Sequence, residues 1–338
     1  TLFSSSRARN NPKFGQVAEK YIYLQTIRKF CDKKMKQHTL NSACQFHGKG
    51  LHTGRIAEMT VKPAPENTGI VFLRKDIGTE AFVKALAENV SNTARSTTIS
   101  EGEISVSTIE HIMSALTGMG IDNAVVELDN VEVPILDGSA LPYVKAFSEA
   151  GLAEQNAERV YITVPDEVEI KDEKTGSWVK VTPADAPSYD ITVDFNSHVL
   201  GVQSAAWDLT KDYANEIGPC RTFVFFHEVE FLFANNLVKG GDVDNAIVIV
   251  EHPVTDEQLD RMATLFNQPK LGVSESGYLS NLKLHFPNEC GRHKLLDMIG
   301  DMRLAGGYLN AKVTAFKPGH TINTNTAKAV RALLAKMK

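Results

Sequence analysis

The sequence predicts an α+β protein built of two similar halves. Three observations carry this. From Thr39 onward the chain runs in short alternating stretches parted by Gly, Pro and Asn, the pattern of strands and turns. Two stretches depart from it, with apolar residues at helical spacing: Ile109, Ile112, Met113, Leu116 and Leu295, Leu296, Met298, Ile299. Each of these helices carries a His near its start and is followed by a glycine stop, a strand and a last helix. The run from Glu110-His111 to Ala124-Val125-Val126 thus rhymes with that from Arg292-His293 to Val313-Thr314-Ala315, as an internal duplication would.

In chain order, residues 1–34 stand apart, with eight Lys/Arg against two acidic residues and no periodicity over Thr1 to Gln16. The first Met is Met35, and these residues are expected to be a disordered extension outside the fold, a basic arm for anionic lipid or a partner being the other reading. Gln37 to Phe46 reads as a first strand, followed by the glycine-rich turn Gly48 to Gly54. That turn lacks the Gly-Lys-Ser/Thr ending of a nucleotide-triphosphate loop. Ala57 to Pro63 and Gly69 to Arg74 are strands, with a turn-rich loop between them. Ser107 and Glu110 have capping-box spacing, with Ser107 expected at the N-cap. Ile121 to Leu128 is a strand, Pro134 to Ser139 a tight turn, and Ala140 to about Leu152 a helix.

Residues 153–160 are polar and read as a linker, dividing 35–155 from 156–338 as two domains. Val160–Val164, Val168–Lys171, Ser177–Pro183 and Tyr189–Phe195 read as strands, and Leu209 to Glu216 as a helix. Arg221 to Phe226 is strand-like, Glu228 to Leu237 a Phe-rich helix, and Ala246 to Val250 a buried strand. Thr255 to Ser280 gives no firm signal. Leu309 to Phe316 is a strand, His320 is expected in a loop, and a terminal helix starts near Thr324.

Composition narrows the function classes. A 338-residue chain with 43% apolar and 23% charged residues is long enough for two globular domains. A net charge of −5 argues against a general nucleic-acid binder. Cys31, Cys44, Cys220 and Cys290 are scattered, which excludes a disulfide framework and a Cys-type zinc site and fits a reducing cytoplasm. No apolar run is long enough for a transmembrane helix.

Chemistry concentrates between Cys290 and His320. His293, Asp297 and Asp301 lie four residues apart, on one stripe of an otherwise apolar helix. Burying such groups is costly without a purpose, and a His and an Asp at this spacing can hold one metal ion. A solvated helix edge or a simple His–Asp hydrogen bond would explain the spacing equally well. If the two His-bearing helices face each other, His111 completes a His, His, Asp set with an open fourth position, as in a catalytic zinc site. Glu110, about 100° around its helix, would then be a candidate general base.

Seven motifs occur together and in order: Gly50-Leu51-His52-Thr53-Gly54, Ser107-Thr108-Ile109-Glu110-His111, Pro134 to Ser139, Arg221-Thr222-Phe223, Gly240-Gly241, Arg292 to Asp297, and Phe316 to His320. From Met35 to Lys338 the chain therefore resembles the UDP-3-O-acyl-N-acetylglucosamine deacetylase family of lipid A biosynthesis. The resemblance implies helices sandwiched between two sheets, and one catalytic Zn²⁺ on His111, His293 and Asp297. It implies Glu110 as base, His320 as acid set by Asp301, Thr222 at the oxyanion, and Lys294 at the substrate near its diphosphate. It further implies an insert near 223–250 forming an apolar passage for the acyl chain, lined by Phe223 and Gly241 and enriched by Phe225, Phe226, Phe231 and Phe233.

The implied partner is a UDP-linked acylated amino sugar in the cytoplasm, and some relatives carry a fused dehydratase after this point. Residues 1–34 have no counterpart in the resemblance, and Thr255 to Ser280 is longer than it leads one to expect. The donor set accepts iron as well as zinc. Two other readings stand beside this one: a zinc hydrolase of another substrate, such as a peptide, and a non-catalytic metal-stabilised module. Glu110 beside an open position argues against the module, and loss of acetyl mass from the acylated sugar separates the hydrolases.

Overall fold

The computed structural model describes residues 35–234, 239–242, 244–268 and 270–336. The extension expected over residues 1–34 lies outside the described residues. The single first strand expected over Gln37–Phe46 is two, β1 (Lys36–Leu40) and β2 (Cys44–Lys49), parted where the Asn41 N–H bonds the Gly151 carbonyl (3.0 Å). Next come β3 (Ile56–Pro63), β4 (Ile70–Arg74) and β5 (Phe82–Lys84). A three-stranded ribbon follows, β6 (Val90–Asn92), β7 (Thr98–Glu101) and β8 (Ile104–Val106), which the Ser/Thr-rich sequence gave no apolar alternation to reveal.

Helix α1 (Glu110–Gly118), β9 (Ala124–Leu128) and α2 (Leu141–Ala150) close this half. The capping box expected at Ser107 does not form. Ser107 is held extended, its N–H bonding the Val131 carbonyl (2.9 Å) and its own carbonyl accepting from the Val133 N–H (3.2 Å), so it cannot reach the helix end. The expected linker at 153–160 is largely a strand, β10 (Leu152–Glu158), antiparallel to β1. Neither of its faces is buried and it lacks large apolar residues after Leu152, which hid it, and Gln155 is held by the Ala64 carbonyl and by Asn123.

The second half runs β11 (Tyr161–Thr163), β12 (Val168–Asp172), β13 (Ser177–Pro183), β14 (Ser188–Asp194) and β15 (Val202–Asp208). The helix expected over Leu209–Glu216 is only α3 (Tyr213–Glu216), capped by Asp212. The insert is a βαβ unit, with β16 (Phe223–Phe225) parallel to β17 (Ile247–Ile249) and α4 (Phe226–Ala234) between them. Thr255 to Ser280 opens with α5 (Asp256–Leu265), which carries a true capping box made by Thr255 and Gln258. Helix α6 (Glu289–Met302), β18 (Tyr308–Phe316) and α7 (His320–Ala335) complete the chain. His320 therefore opens a helix instead of lying in a loop, because the Pro318-Gly319 turn leads directly into α7.

The rhyme read from the sequence is a repeated topology. The first sheet has the order β2-β3-β9-β4-β5 and the second β12-β13-β18-β14-β15. In both, the strand after the His-bearing helix enters the middle, antiparallel to one neighbour and parallel to the other. Helix α6 packs on β14 and β15, α7 on β12 and β13, and α2 on β2. There Tyr143 and Phe147 meet Phe46 with ring centroids 4.9 and 6.3 Å apart. Each such buried aromatic contributes about 1.5–3 kcal/mol. Helices α1 and α6 pack closely because position 300 is glycine: a Cβ there would overlap the Glu110 carbonyl oxygen. That contact brings the two His-bearing turns together.

Candidate metal centre

Three side chains meet between α1 and α6. His111 Nε2 lies 3.7 Å from Asp297 Oδ1, and His293 Nε2 lies 3.5 Å from the same oxygen. The donor atoms of the three residues all fall within 4.8 Å of one another, and all three residues are buried. The Cys220 carbonyl accepts from His293 Nδ1 (3.0 Å), which places the proton there and leaves the Nε2 lone pair facing Asp297. Burial, with the neighbouring His293, pushes His111 down to about 3, and burial also lowers His293, so both imidazoles are neutral. Burial pushes the Asp297 carboxyl up, but the Lys294 ammonium more than reverses this and holds it ionised. Its Oδ1 is fully buried with no hydrogen-bond partner. Two lone pairs and a carboxylate oxygen facing one another in the interior are mutually satisfied by a shared cation, so the residues fit a metal ion.

Lys294 Nζ bonds Asp297 Oδ2 at 2.6 Å, and Asp297 outweighs burial to keep the ammonium raised. Glu110 lies beside the donor set. The Thr97 N–H bonds its Oε2 (3.0 Å), and its Oε1 stands 3.9 Å from His320 Nε2. Burial lifts the Glu110 carboxyl to about 7 against the pull of His320. His320 Nδ1 is 3.1 Å from Asp301 Oδ2. Burial would lower this imidazole, but Asp301 and Glu110 overcome it and raise it to about 9. A cation at the first residue of α7 opposes the helix dipole, so the two carboxylates have to offset that as well.

Two supports had no sequence signal. Thr97 joins the two halves, with its N–H on Glu110 and its hydroxyl on Asp301 Oδ1 (2.6 Å). Asn323 Nδ2 holds Asp301 Oδ2 at 3.0 Å; its place three residues after His320 would have suggested it only once α7 was known to begin there. A third missed residue, the fully buried Glu132, accepts from the His52 and Thr53 N–H groups and from the Thr108 hydroxyl, fixing the Gly50–Gly54 turn.

Thr222, Phe223 and Gly241 do not join the donor set. They line an adjacent cavity of about 120 Å³ with His52 and apolar residues such as Val229 and Leu232. The two places are linked by Phe223, whose ring meets that of His293 edge-on at 6.2 Å. The buried Arg221–Glu289 pair (2.9 Å) ties this segment to the first turn of α6. Gly240 packs on the Gly50 turn, where its N–H bonds the Leu51 carbonyl (2.9 Å), and the Thr222 N–H bonds the Gly138 carbonyl (2.8 Å), so four sequence motifs converge. Phe226 is core, Phe231 is 59% exposed, and the Phe233 side chain lies outside the described residues.

A shared-cation pocket flanked by a carboxylate poised near neutrality and a charged imidazole, between two like sheets, defines an α+β metalloenzyme. The chain belongs to the UDP-3-O-acyl N-acetylglycosamine deacetylase family, whose pattern matches residues 37–271 and 265–332. It is 42% identical over 296 residues to the bifunctional enzyme LpxC/FabZ of Porphyromonas gingivalis, covering 88% of this chain and 64% of that protein. It is 40% identical over 297 residues to the bifunctional enzyme LpxC/FabZ of Bacteroides thetaiotaomicron, covering 88% and 64%. It is 38% identical over 300 residues to the UDP-3-O-acyl-N-acetylglucosamine deacetylase of Teredinibacter turnerae, covering 87% and 89%. The chain thus spans just under two thirds of the two bifunctional relatives. Among the described residues no helix is long and apolar enough to cross a membrane.

Proposed function

We propose that the chain removes acetate from the 2-acetamido group of UDP-3-O-(3-hydroxyacyl)-N-acetylglucosamine in lipid A biosynthesis, in the cytoplasm. The observation that carries this is the buried, unpartnered Asp297 Oδ1 between two neutral imidazoles, with the Glu110–His320 pair alongside. His111, His293 and Asp297 hold one Zn²⁺, which when bound supplies Lewis-acid polarisation of the amide carbonyl. Glu110 takes the proton of the attacking water, since Thr97 occupies Oε2 and Oε1 remains for the transfer. His320 donates from Nε2 to the leaving nitrogen, since Asp301 engages Nδ1. Thr222 supports the oxyanion from the cavity wall, and Lys294 approaches the substrate with an ammonium that also neutralises Asp297.

The apolar cavity beside Phe223 and Gly241 takes the acyl chain. Residues 35–155 and 156–338 act as two domains, a division supported by the repeated strand order, with β10 crossing the boundary to pair with β1. In the test, metal-loaded protein is incubated with the acylated UDP-sugar and the mass of the sugar is followed. Loss of one acetyl group is expected, and an unchanged mass would remove the proposal.

The raised His320 sets a pH dependence. Its imidazolium is present below about 9 and lost above, so the basic limb of kcat/KM should fall there. Asp301→Asn removes the largest stabilising charge, so the limb should move to lower pH. A limb that stays in place in Asp301→Asn would break the assigned pairing.

A further inference from the structure

Three of the ten histidines gather at a place that the metal centre does not use. His198 stands in the turn between β14 and β15, His227 in the first turn of α4, and His252 just past β17. The His198 and His252 ring centroids are 6.4 Å apart, and those of His227 and His252 are 6.3 Å apart. Glu251 lies among them. Its Oε2 is 3.3 Å from His198 Nδ1, and its Oε1 accepts from the Ser197 hydroxyl. That hydroxyl in turn accepts from the Leu200 N–H (2.9 Å), so the carboxylate is fixed from below. His198, Glu251 and His252 line one open cavity of about 390 Å³.

All three histidines are exposed, so core packing does not explain why three separate segments bring them together. With Glu251 Oε2 3.3 Å from its Nδ1, His198 has Nε2 left as the donor atom for a metal. Imidazoles on one ion, with metal–N distances of about 2.0–2.1 Å, have ring centroids roughly 5–6 Å apart. The observed separations lie close to that range, and exposed side chains rotate freely on the nanosecond scale.

We propose that His198 and His252, with Glu251 orienting His198 and His227 flanking His252, form a second metal site for a borderline divalent ion such as Zn²⁺ or Ni²⁺. Imidazole donors suit these ions and not Mg²⁺ or Ca²⁺. An ion held there ties the insert to the β14–β15 turn. The insert carries Val229 and Leu232, which line the apolar cavity, so the ion would stiffen that cavity from outside.

The test uses untagged protein whose first site is already filled, titrated with Zn²⁺ alone and read by calorimetry and metal analysis, so it does not depend on the proposed reaction. A second equivalent with micromolar affinity is expected. The double variant His198→Ala/His252→Ala should bind that equivalent at least tenfold more weakly while keeping the first ion and its melting temperature. Should that variant misfold, His198→Asn, with one exposed ring changed, should show the same loss. Cu²⁺-loaded wild type should give an electron paramagnetic resonance spectrum with splitting from two or more nitrogens beyond the first site. Stoichiometry that stops at one ion, or a second ion bound equally well by the variants, would overturn the proposal.

Discussion

His293→Ala is expected to release most of the catalytic metal and to abolish turnover. Three protein donors leave little redundancy, and His293 is held in place by the Cys220 carbonyl, which fixes its tautomer. Removing it leaves Asp297 Oδ1 with one imidazole in place of two. Affinity should fall by at least the 10–100-fold that loss of an outer-shell partner alone costs. Asp297→Ala should behave alike, with the added effect that Lys294 loses the carboxylate that keeps its ammonium charged in the interior. Dialysis against a weak chelator followed by elemental analysis reads both variants. Full retention of metal in both would sink the ligand assignment.

Glu110→Ala should keep the metal and lose roughly 10²–10⁴-fold in kcat, the span of general acid–base catalysis. The carboxylate is not among the three donors, so occupancy should stay at the wild-type level. Substitution also strands the buried Thr97 N–H, which costs about 1–3 kcal/mol and should lower the melting temperature. Glu110→Gln retains an acceptor for that N–H, so it should recover stability without recovering rate. This split separates chemistry from structure. A Glu110→Ala enzyme of near-normal kcat would leave the residue only its structural bond to Thr97.

Removing Glu110 also takes away one of the two carboxylates that raise His320, so any residual activity should lose its basic limb at lower pH than wild type. Since Glu110 itself is lifted to about 7 by burial, the wild-type acidic limb should fall near neutrality, where Glu110 becomes protonated and can no longer accept. The two limbs together predict a bell bounded near 7 and near 9.

Much of this was legible in the chain because it is local. The four-residue spacing of His293, Asp297 and Asp301 puts them on one stripe of α6 whatever surrounds it, since helix geometry alone decides that. The alternation of Ala57, Met59 and Val61 marked β3 for the same reason. The rhyme of the two halves was readable as element order.

What the sequence could not supply is whatever depends on which distant segments touch. Ser107 and Glu110 have the spacing of a capping box, yet pairing with Val131 and Val133 holds Ser107 extended and leaves Glu110 to Thr97. The polar run at Leu152–Glu158 becomes a strand because β1 offers it an edge. Thr97 holds both Glu110 and Asp301 across more than two hundred residues of chain, a contact without any local pattern. Sequence by itself determined the helical stripe that His293, Asp297 and Asp301 share, because backbone periodicity is a property of neighbours. Tertiary structure alone decided that His111 meets Asp297, that burial lifts Glu110, and that Asp301 and Glu110 raise His320 against its burial, because desolvation and close approach, here through Gly300, exist only once the two helices have packed.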